Sequence, residues 1–129
     1  MGHTGCGGIK AAYENKSLGF IDHWLSNIRE IAFLNSELLK KIETEEEFLK
    51  ILTELNVKHQ VFNVCKSPIV QKAWNQGRQV RVSGWMCDIS TGLLKDLDVG
   101  QSEWNAIEDF YELNFNSHNH QHDEKETKN

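Results

Sequence analysis

Several features that would assign a protein to a function class are missing from this sequence. Lysine and arginine together number 14 against 19 aspartate and glutamate residues, so the net charge is −5. This balance argues against a protein whose main task is to bind nucleic acid or an anionic membrane. No apolar run approaches the roughly 20 residues of a transmembrane helix, and residues 1–8 lack the basic region and apolar run of a signal peptide. We therefore expect a cytoplasmic protein with neither nucleic acid nor membrane as a partner.

Cysteine is also scarce. The chain has three cysteines, and without an export signal they are expected to be free thiols rather than disulfides. Two of them, Cys65 and Cys87, are expected to be buried as small apolar residues. Trp24, Trp74 and Trp85 are likewise expected to lie in the core.

The remaining composition is that of one folded domain. A chain of 129 residues with 39% apolar residues can form a single hydrophobic core. Apolar residues at helical spacing predict a short helix over 9–13 and a longer amphipathic helix over 21–34. Thr44 to Glu47 have the spacing of a capping box, which predicts that another helix begins there. Ser67-Pro68 predicts the start of a further helix.

Strand periodicity follows only late in the chain. Residues 78–89 alternate between apolar and polar side chains, and 93–97 are expected to form a second strand that completes a hairpin. A last helix is expected over 102–113. Residues 116–129 are polar and are expected to be a disordered tail. Because two strands do not form a stable sheet alone, the helices are expected to cover a sheet that is incomplete here, as in the later part of an α/β domain.

The segment richest in reactive side chains comes first, at residues 2–8. His3 and Cys6 are three residues apart among glycines, and imidazole nitrogen and thiolate sulfur are preferred zinc donors. Glycine permits the tight backbone that would aim both side chains at one ion. A helix expected after Cys6 would favour its thiolate form. From these residues alone, a glycine-rich turn with an incidental His and Cys is an equal alternative.

The later sequence resembles a known family. His3 to Ile9 resembles the second metal-ligand motif of the β-class carbonic anhydrases, and the resemblance covers roughly residues 2–99 without large gaps. The short motifs that follow in the family's order are Trp24-Leu25 with Ile28-Arg29, Asn56-Val57 with Gln60-Val61 and Asn63, Ser67-Pro68-Ile69-Val70-Gln71 with Ala73-Trp74, Val82-Ser83-Gly84-Trp85-Met86-Cys87-Asp88-Ile89, and Thr91-Gly92-Leu93-Leu94. Several short motifs in the right order are more specific than any one of them.

The resemblance implies a zinc lyase that interconverts carbon dioxide and bicarbonate. It implies an α/β chain with a partial β-carbonic anhydrase fold over residues 1–115, in which helices pack on a truncated, mainly parallel sheet with a C-terminal strand hairpin. His3 and Cys6 match two of the family's three protein ligands to Zn²⁺, which lowers the pKa of its bound water to about 7. Family members usually dimerise, so a homodimer or larger homo-oligomer is expected.

One departure from the family leaves alternatives open. The family's upstream Cys-x-Asp-Ser-Arg motif, which supplies the other Cys ligand and an Asp–Arg pair, does not occur in this sequence. Two donors do not fix a catalytic zinc site, so the chain is expected to be a truncated relative and no catalytic acid or base is assigned. One alternative is a non-catalytic remnant that acts through oligomerisation or interaction. Others are a thiol protein that uses Cys6 alone, and a closed zinc site shared by His3 and Cys6 of two chains.

The other histidines are expected to have no ligand role. The alternating histidines of the tail could bind metal loosely, but their polar neighbours favour a solvated segment; they are His118, His120 and His122. His23 and His59 lie off the apolar faces of their helices and are expected at the surface. Asp88 is expected to cap the turn that leads to Gly92.

Overall fold

The computed structural model of the chain describes residues 1–100, 104–105 and 108–115. Within these ranges the chain forms six labelled helices and three short strands. The expected polar tail over 116–129 lies outside the described residues, as do the three tail histidines. The expected last helix over 102–113 is described in part, as α6 (Glu108–Tyr111).

The first helices follow the predicted pattern closely. Helix α1 (Gly7–Tyr13) begins at the glycine pair. A 3₁₀ turn (Gly19–Ile21) leads into α2 (Asp22–Leu34), which ends at Asn35, before the short helix α3 (Ser36–Leu39). In α2 the side chains of Leu25, Ile28 and Ile31 are buried, whereas Trp24 is exposed.

Helix α4 (Glu45–Cys65) is the longest element and forms the common wall of the domain. The predicted cap at its start is confirmed, since the Thr44 hydroxyl accepts a hydrogen bond of 3.3 Å from the Glu47 amide. Three glutamates in its first turn suit the positive end of the helix dipole. It packs against α1, α2, α3 and α5 (Pro68–Asn75) and also against the sheet.

The sheet is mixed and has the order β1-β2-β3. Strand β1 (Gly2–His3) pairs parallel with β2 (Trp85–Cys87), and β2 pairs antiparallel with β3 (Leu94–Asp96). The hairpin of β2 and β3 is therefore confirmed, and its turn ends at Gly92, whose φ of 71° suits glycine. The prediction of one strand over 78–89 is wrong for 78–84, which alternate in sequence but pair with no strand in the described part of the chain.

A strand also exists where none was expected. The glycine-rich segment has the composition of a loop that leaves a strand, but no strand was predicted before it; in the structure Gly2–His3 forms one and pairs with β2. A side chain on Gly2 would not fit, because its Cβ would lie 2.7 Å from Val57 Cγ2 and 2.9 Å from Met86 Sδ. The glycine therefore lets β1 lie directly on α4.

Two buried clusters hold the domain together. The first joins α1, α2, α3 and α4 through residues that include Leu25, Ile28 and Leu52. The second joins the end of α4 to the C-terminal part of the described chain; its buried members are Val61, Cys65, Val99 and Trp104. None of the helices in the described ranges is long and apolar enough to cross a membrane.

The expectation that three tryptophans lie in the core is largely wrong. Trp24 is 55% exposed and Trp85 is 38% exposed, while Trp74 is half-buried against the second cluster. The fully buried indole is that of Trp104, 2% exposed, whose ring centroid lies 5.7 Å from that of Trp74. The cysteine expectation holds for Cys65, which is buried, but Cys87 is only half-buried.

Candidate metal centre

His3 is the last residue of β1, so its side chain lies at the carboxyl end of a parallel strand. In open α/β sheets this edge is where ligands bind. The imidazole is exposed, and its Nδ1 lies 2.9 Å from the Thr4 carbonyl oxygen. Because a carbonyl only accepts, Nδ1 carries the proton and Nε2 keeps the lone pair that a metal ion requires.

Cys6 begins the next element. It is the N-cap residue of α1, with extended backbone angles and no side-chain capping hydrogen bond. The chain reaches it through Gly5, whose φ of 67° lies in the left-handed region that favours glycine. Cys6 is a half-buried free thiol beside the first buried cluster, so its sulfur remains available as a donor.

The turn between β2 and β3 braces this loop. The Thr4 amide donates to the Cys87 carbonyl at 3.0 Å, and the Thr4 hydroxyl accepts from the Ile89 amide at 3.1 Å. Asp88 caps the turn as expected: its Oδ1 accepts from the Ser90 amide at 2.9 Å and from the Ser90 hydroxyl at 2.6 Å. These hydrogen bonds from Ser90 lower the pKa of the Asp88 carboxyl, so it is ionised at neutral pH.

A cavity of about 560 Å³ opens beside Cys6, between the loop, α1 and the first half of α4. Its walls combine apolar side chains with charged ones at the rim. Lys10 Nζ lies 3.7 Å from Glu45 Oε1 there. The lining residues are Thr4, Gly5, Cys6, Ile9, Lys10, Glu45, Glu46, Leu49, Lys50 and Thr53. The volume lies within the usual range for small-molecule sites.

The two predicted donors lie on one braced loop, but they do not form a complete site. Within residues 1–100, 104–105 and 108–115, no three His, Cys, Asp or Glu side chains come together as a metal-binding group. His23 is exposed as expected. His59 is half-buried, and burial lowers its pKa. The donor set thus fits zinc in kind but falls short of the three protein ligands of a catalytic site.

The strand register places Cys87 beside the predicted ligand His3, and sequence reasoning did not predict this placement. In the parallel pairing of β1 and β2 it is the Cα partner of His3. The two residues are 84 positions apart, and no local pattern connects them. The only available signal was the proximity of Cys87 to the Gly84-Trp85 pair that opens β2.

Comparison with known proteins finds sequence similarity to carbonic anhydrases. The family model for carbonic anhydrase matches residues 1–94. A carbonic anhydrase of Emericella nidulans is 38% identical over 98 residues, which cover 76% of this chain and 43% of that protein. A carbonic anhydrase of Candida albicans is 32% identical over 127 residues, covering 97% of this chain and 42% of that protein. The chain thus spans less than half the length of these curated relatives.

Solved structures are similar over the same extent. The β-carbonic anhydrase of Coccomyxa, solved in complex with acetazolamide, superposes with a TM-score of 0.72 at 35% identity, over 83% of this chain and 49% of that one. One of two tetrameric β-carbonic anhydrases from Sordaria macrospora superposes with a TM-score of 0.69 at 28% identity, over 77% of this chain and 50% of that one. These similarities confirm the expected partial β-carbonic anhydrase fold. The chain matches about half of each of these solved structures.

Proposed function

Because the chain belongs to the β-carbonic anhydrase family, we propose that it serves the zinc-dependent, reversible hydration of carbon dioxide to bicarbonate, with His3 and Cys6 as zinc ligands. The observation that supports this most directly is the geometry of the loop. His3 ends a parallel strand with Nε2 free, and Cys6 starts a helix with its thiol uncapped. The three cysteines are free thiols, which is compatible with the reducing cytoplasm that we propose as its location.

The residues around the loop have roles in this proposal. The Thr4 carbonyl fixes the imidazole tautomer. The Thr4 amide, which donates to the Cys87 carbonyl, and the Thr4 hydroxyl, which accepts from the Ile89 amide, fix the loop against the sheet. The adjoining cavity offers apolar surface from Ile9 and Leu49 to carbon dioxide, which is small and uncharged, next to Cys6. Two donors do not specify a catalytic ion, so no catalytic step is assigned to the described residues.

The test measures zinc and turnover on the same protein. Zinc content is determined after dialysis, and carbon dioxide hydration is followed by stopped-flow with a pH indicator. His3→Ala and Cys6→Ala are each expected to lose zinc and any zinc-dependent hydration. His23→Ala, which removes an exposed imidazole elsewhere, is the matched control and should keep both. If the His3 and Cys6 variants bind zinc as tightly as the unchanged chain, the assigned ligands are wrong.

A second function is favoured by one surface. Residues 18–24 expose four apolar side chains, and Phe20 is fully exposed; the others are Leu18, Ile21 and Trp24. Exposed apolar patches of this kind mark interaction sites. We propose that residues 18–24 contact a second copy of the chain, since a similar protein from Sordaria macrospora is tetrameric. Zinc binding without hydration, together with self-association, would favour a non-catalytic interaction protein.

Sedimentation velocity tests this interface. Phe20→Ser combined with Trp24→Ser should shift the chain to monomer. The matched control is Ile69→Ser, which removes an equally exposed apolar side chain on α5, and it should leave the distribution unchanged. A monomeric unchanged chain would refute the interface.

A further inference from the structure

Residues 108–115, the last described segment of the chain, lie against α5 and bury little apolar surface. Every residue from 109 to 115 is exposed. The large apolar side chains of the segment are between 36% and 85% exposed; they are Phe110, Tyr111, Leu113 and Phe115. Helix α6 has four residues, and so short a helix is not stable in water by itself. The segment therefore depends on contacts other than its own helix or the core.

A buried side chain of α5 provides these contacts. Gln71 is 4% exposed, and its carboxamide binds the main chain of the segment at two points. Its Nε2 donates to the Tyr111 carbonyl oxygen at 3.0 Å, and its Oε1 accepts from the Leu113 amide at 2.7 Å. Nε2 also donates to the Lys66 carbonyl oxygen at 3.1 Å. Because a buried amide is costly to leave unpaired, Gln71 ties the segment to α5.

The other described attachment is electrostatic. Lys66, the residue that caps the end of α4, has its Nζ 4.9 Å from the centre of the Tyr111 ring. Tyr111 is 48% exposed, and a cation–π contact at an exposed site is weak. The segment is thus held mainly by the two hydrogen bonds from one carboxamide.

The space beneath the segment is incompletely filled. A cavity of about 210 Å³ lies between the segment and α5, and Trp74 and Trp104 also line it. Trp104 belongs to the second buried cluster, and its Nε1 donates to Glu108 Oε1 at 3.3 Å. Well-packed interiors leave few voids of this size, so departure of the segment would break few packing contacts. It would, however, expose the side of Trp104 that faces the cavity.

We propose that residues 108–115 form a latch that Gln71 holds closed, and that the latch opens while the rest of the domain stays folded, which uncovers Trp104. Segments with few buried apolar contacts open at a lower free energy than the core does. In the open state a buried indole and the carboxamide of Gln71 become accessible to solvent. The latch does not involve residues 3–6, so it is independent of the proposed zinc ligands.

Native-state hydrogen exchange of the unaltered chain, read by NMR at low urea concentrations, tests the latch. The Leu113 amide and the Trp104 indole N–H should report the same opening. Their protection should be at least about tenfold lower than that of the Val57 amide in the middle of α4. It should also depend less on urea, because the latch exposes less surface than unfolding of the domain does.

Two results would overturn the proposal. If the Leu113 amide is as protected as the Val57 amide, with the same urea dependence, the segment opens only when the domain unfolds. If Leu113 opens locally while the Trp104 indole stays as protected as Val57, the segment does not cover the indole. Neither result depends on a substitution.

Gln71→Leu tests the hold itself, because leucine is similar in size and forms no hydrogen bond. The Trp104 indole is the reporter, since its own acceptor, Glu108, is unchanged. Its protection should fall by about tenfold relative to that of Val57, and this ratio corrects for any change in the stability of the whole domain. Asn75→Ala, at an exposed residue that lines the same cavity, is the matched control and should leave the ratio unchanged. An unchanged ratio in folded Gln71→Leu would refute the role of Gln71.

Discussion

The close packing of Gly84, the residue before β2, against Val99 and α4 predicts the effect of a single added methyl group. A Cβ on Gly84 would lie 2.5 Å from Val99 Cγ2 and 3.2 Å from both Val57 Cγ1 and Val61 Cγ2. Carbon atoms in comfortable contact are about 3.5–4.0 Å apart, so Val99 would have to retreat by about 1 Å. Valine cannot avoid this cheaply by rotation, because it is stiff at χ1. Overpacking of this kind costs about 1–3 kcal/mol.

Gly7→Ala is the matched comparison for Gly84→Ala. It adds the same methyl group at the first residue of α1, where a Cβ would meet nothing within 4 Å. Alanine is a better helix former than glycine by up to about 1 kcal/mol, so this variant should be unchanged or more stable. The two variants should therefore differ by about 1–4 kcal/mol in the free energy of unfolding.

Urea denaturation followed by circular dichroism measures this difference. With a slope of about 2 kcal/mol per molar urea, a difference of about 2 kcal/mol places the midpoint of Gly84→Ala about 1 M below that of Gly7→Ala. Equal midpoints, or a Gly84→Ala chain that is the more stable of the two, would show that Gly84 is not packed against Val99 and α4 as described.

Three further predictions concern the core, a titrating group and a helix cap. Trp104→Ala should lower the free energy of unfolding by about 3–5 kcal/mol in a urea titration, because the side chain is fully buried. Trp24→Ala, which removes an exposed indole, should cost no more than about 1 kcal/mol. Equal losses in the two variants would contradict the burial described. Burial, aided by Lys66, lowers the pKa of His59 below its ordinary value of 6.5, so the folded chain takes up this proton at lower pH than the unfolded chain. The stability linked to neutral His59 is then complete above pH 6.5 and declines as the pH falls from there through the folded-state pKa. In His59→Gln the free energy of unfolding should depend less steeply on pH in this window. An unaltered slope would refute the assignment. Thr44→Ala should cost about 1 kcal/mol by removing the cap of α4, while Thr44→Ser should retain most of it; a thermal melt that does not distinguish the two would refute the capping role.

Local signals were sufficient for much of the helical structure. The capping pattern at Thr44 and the apolar spacing in α2 depend on neighbours within one or two turns, and both elements form where they were expected. Such features are encoded locally, because helix hydrogen bonds join residues only four positions apart.

The strands show the limit of local reasoning. Residues 78–84 alternate as a strand would, but a strand needs a partner, and partners are set by the distant chain. Conversely, the two residues of β1 are too few to show a period, and their pairing with β2 spans more than 80 positions. The buried role of Trp104 was missed for a related reason, since its burial comes from Val61 and Cys65 rather than from its own polar surroundings.

In the candidate site, too, local spacing was predictable and long-range placement was not. His3 and Cys6 could be found because the spacing of donors among glycines is a local pattern. The placement of Cys87 beside His3 could not, because it follows from strand register and not from any feature of its own segment. The incomplete donor set was predictable from the sequence.

The long helix α4 contributes to both buried clusters, through Leu52 at one end and through Val61 and Cys65 at the other. Unfolding of α4 would remove buried side chains from both clusters at once, so the helix couples the unfolding of one cluster to that of the other. Heating should therefore produce one cooperative transition, with coincident fluorescence and circular dichroism curves. An ion bound near residues 3–6 would then raise the melting temperature of the entire domain, including the region around Trp104.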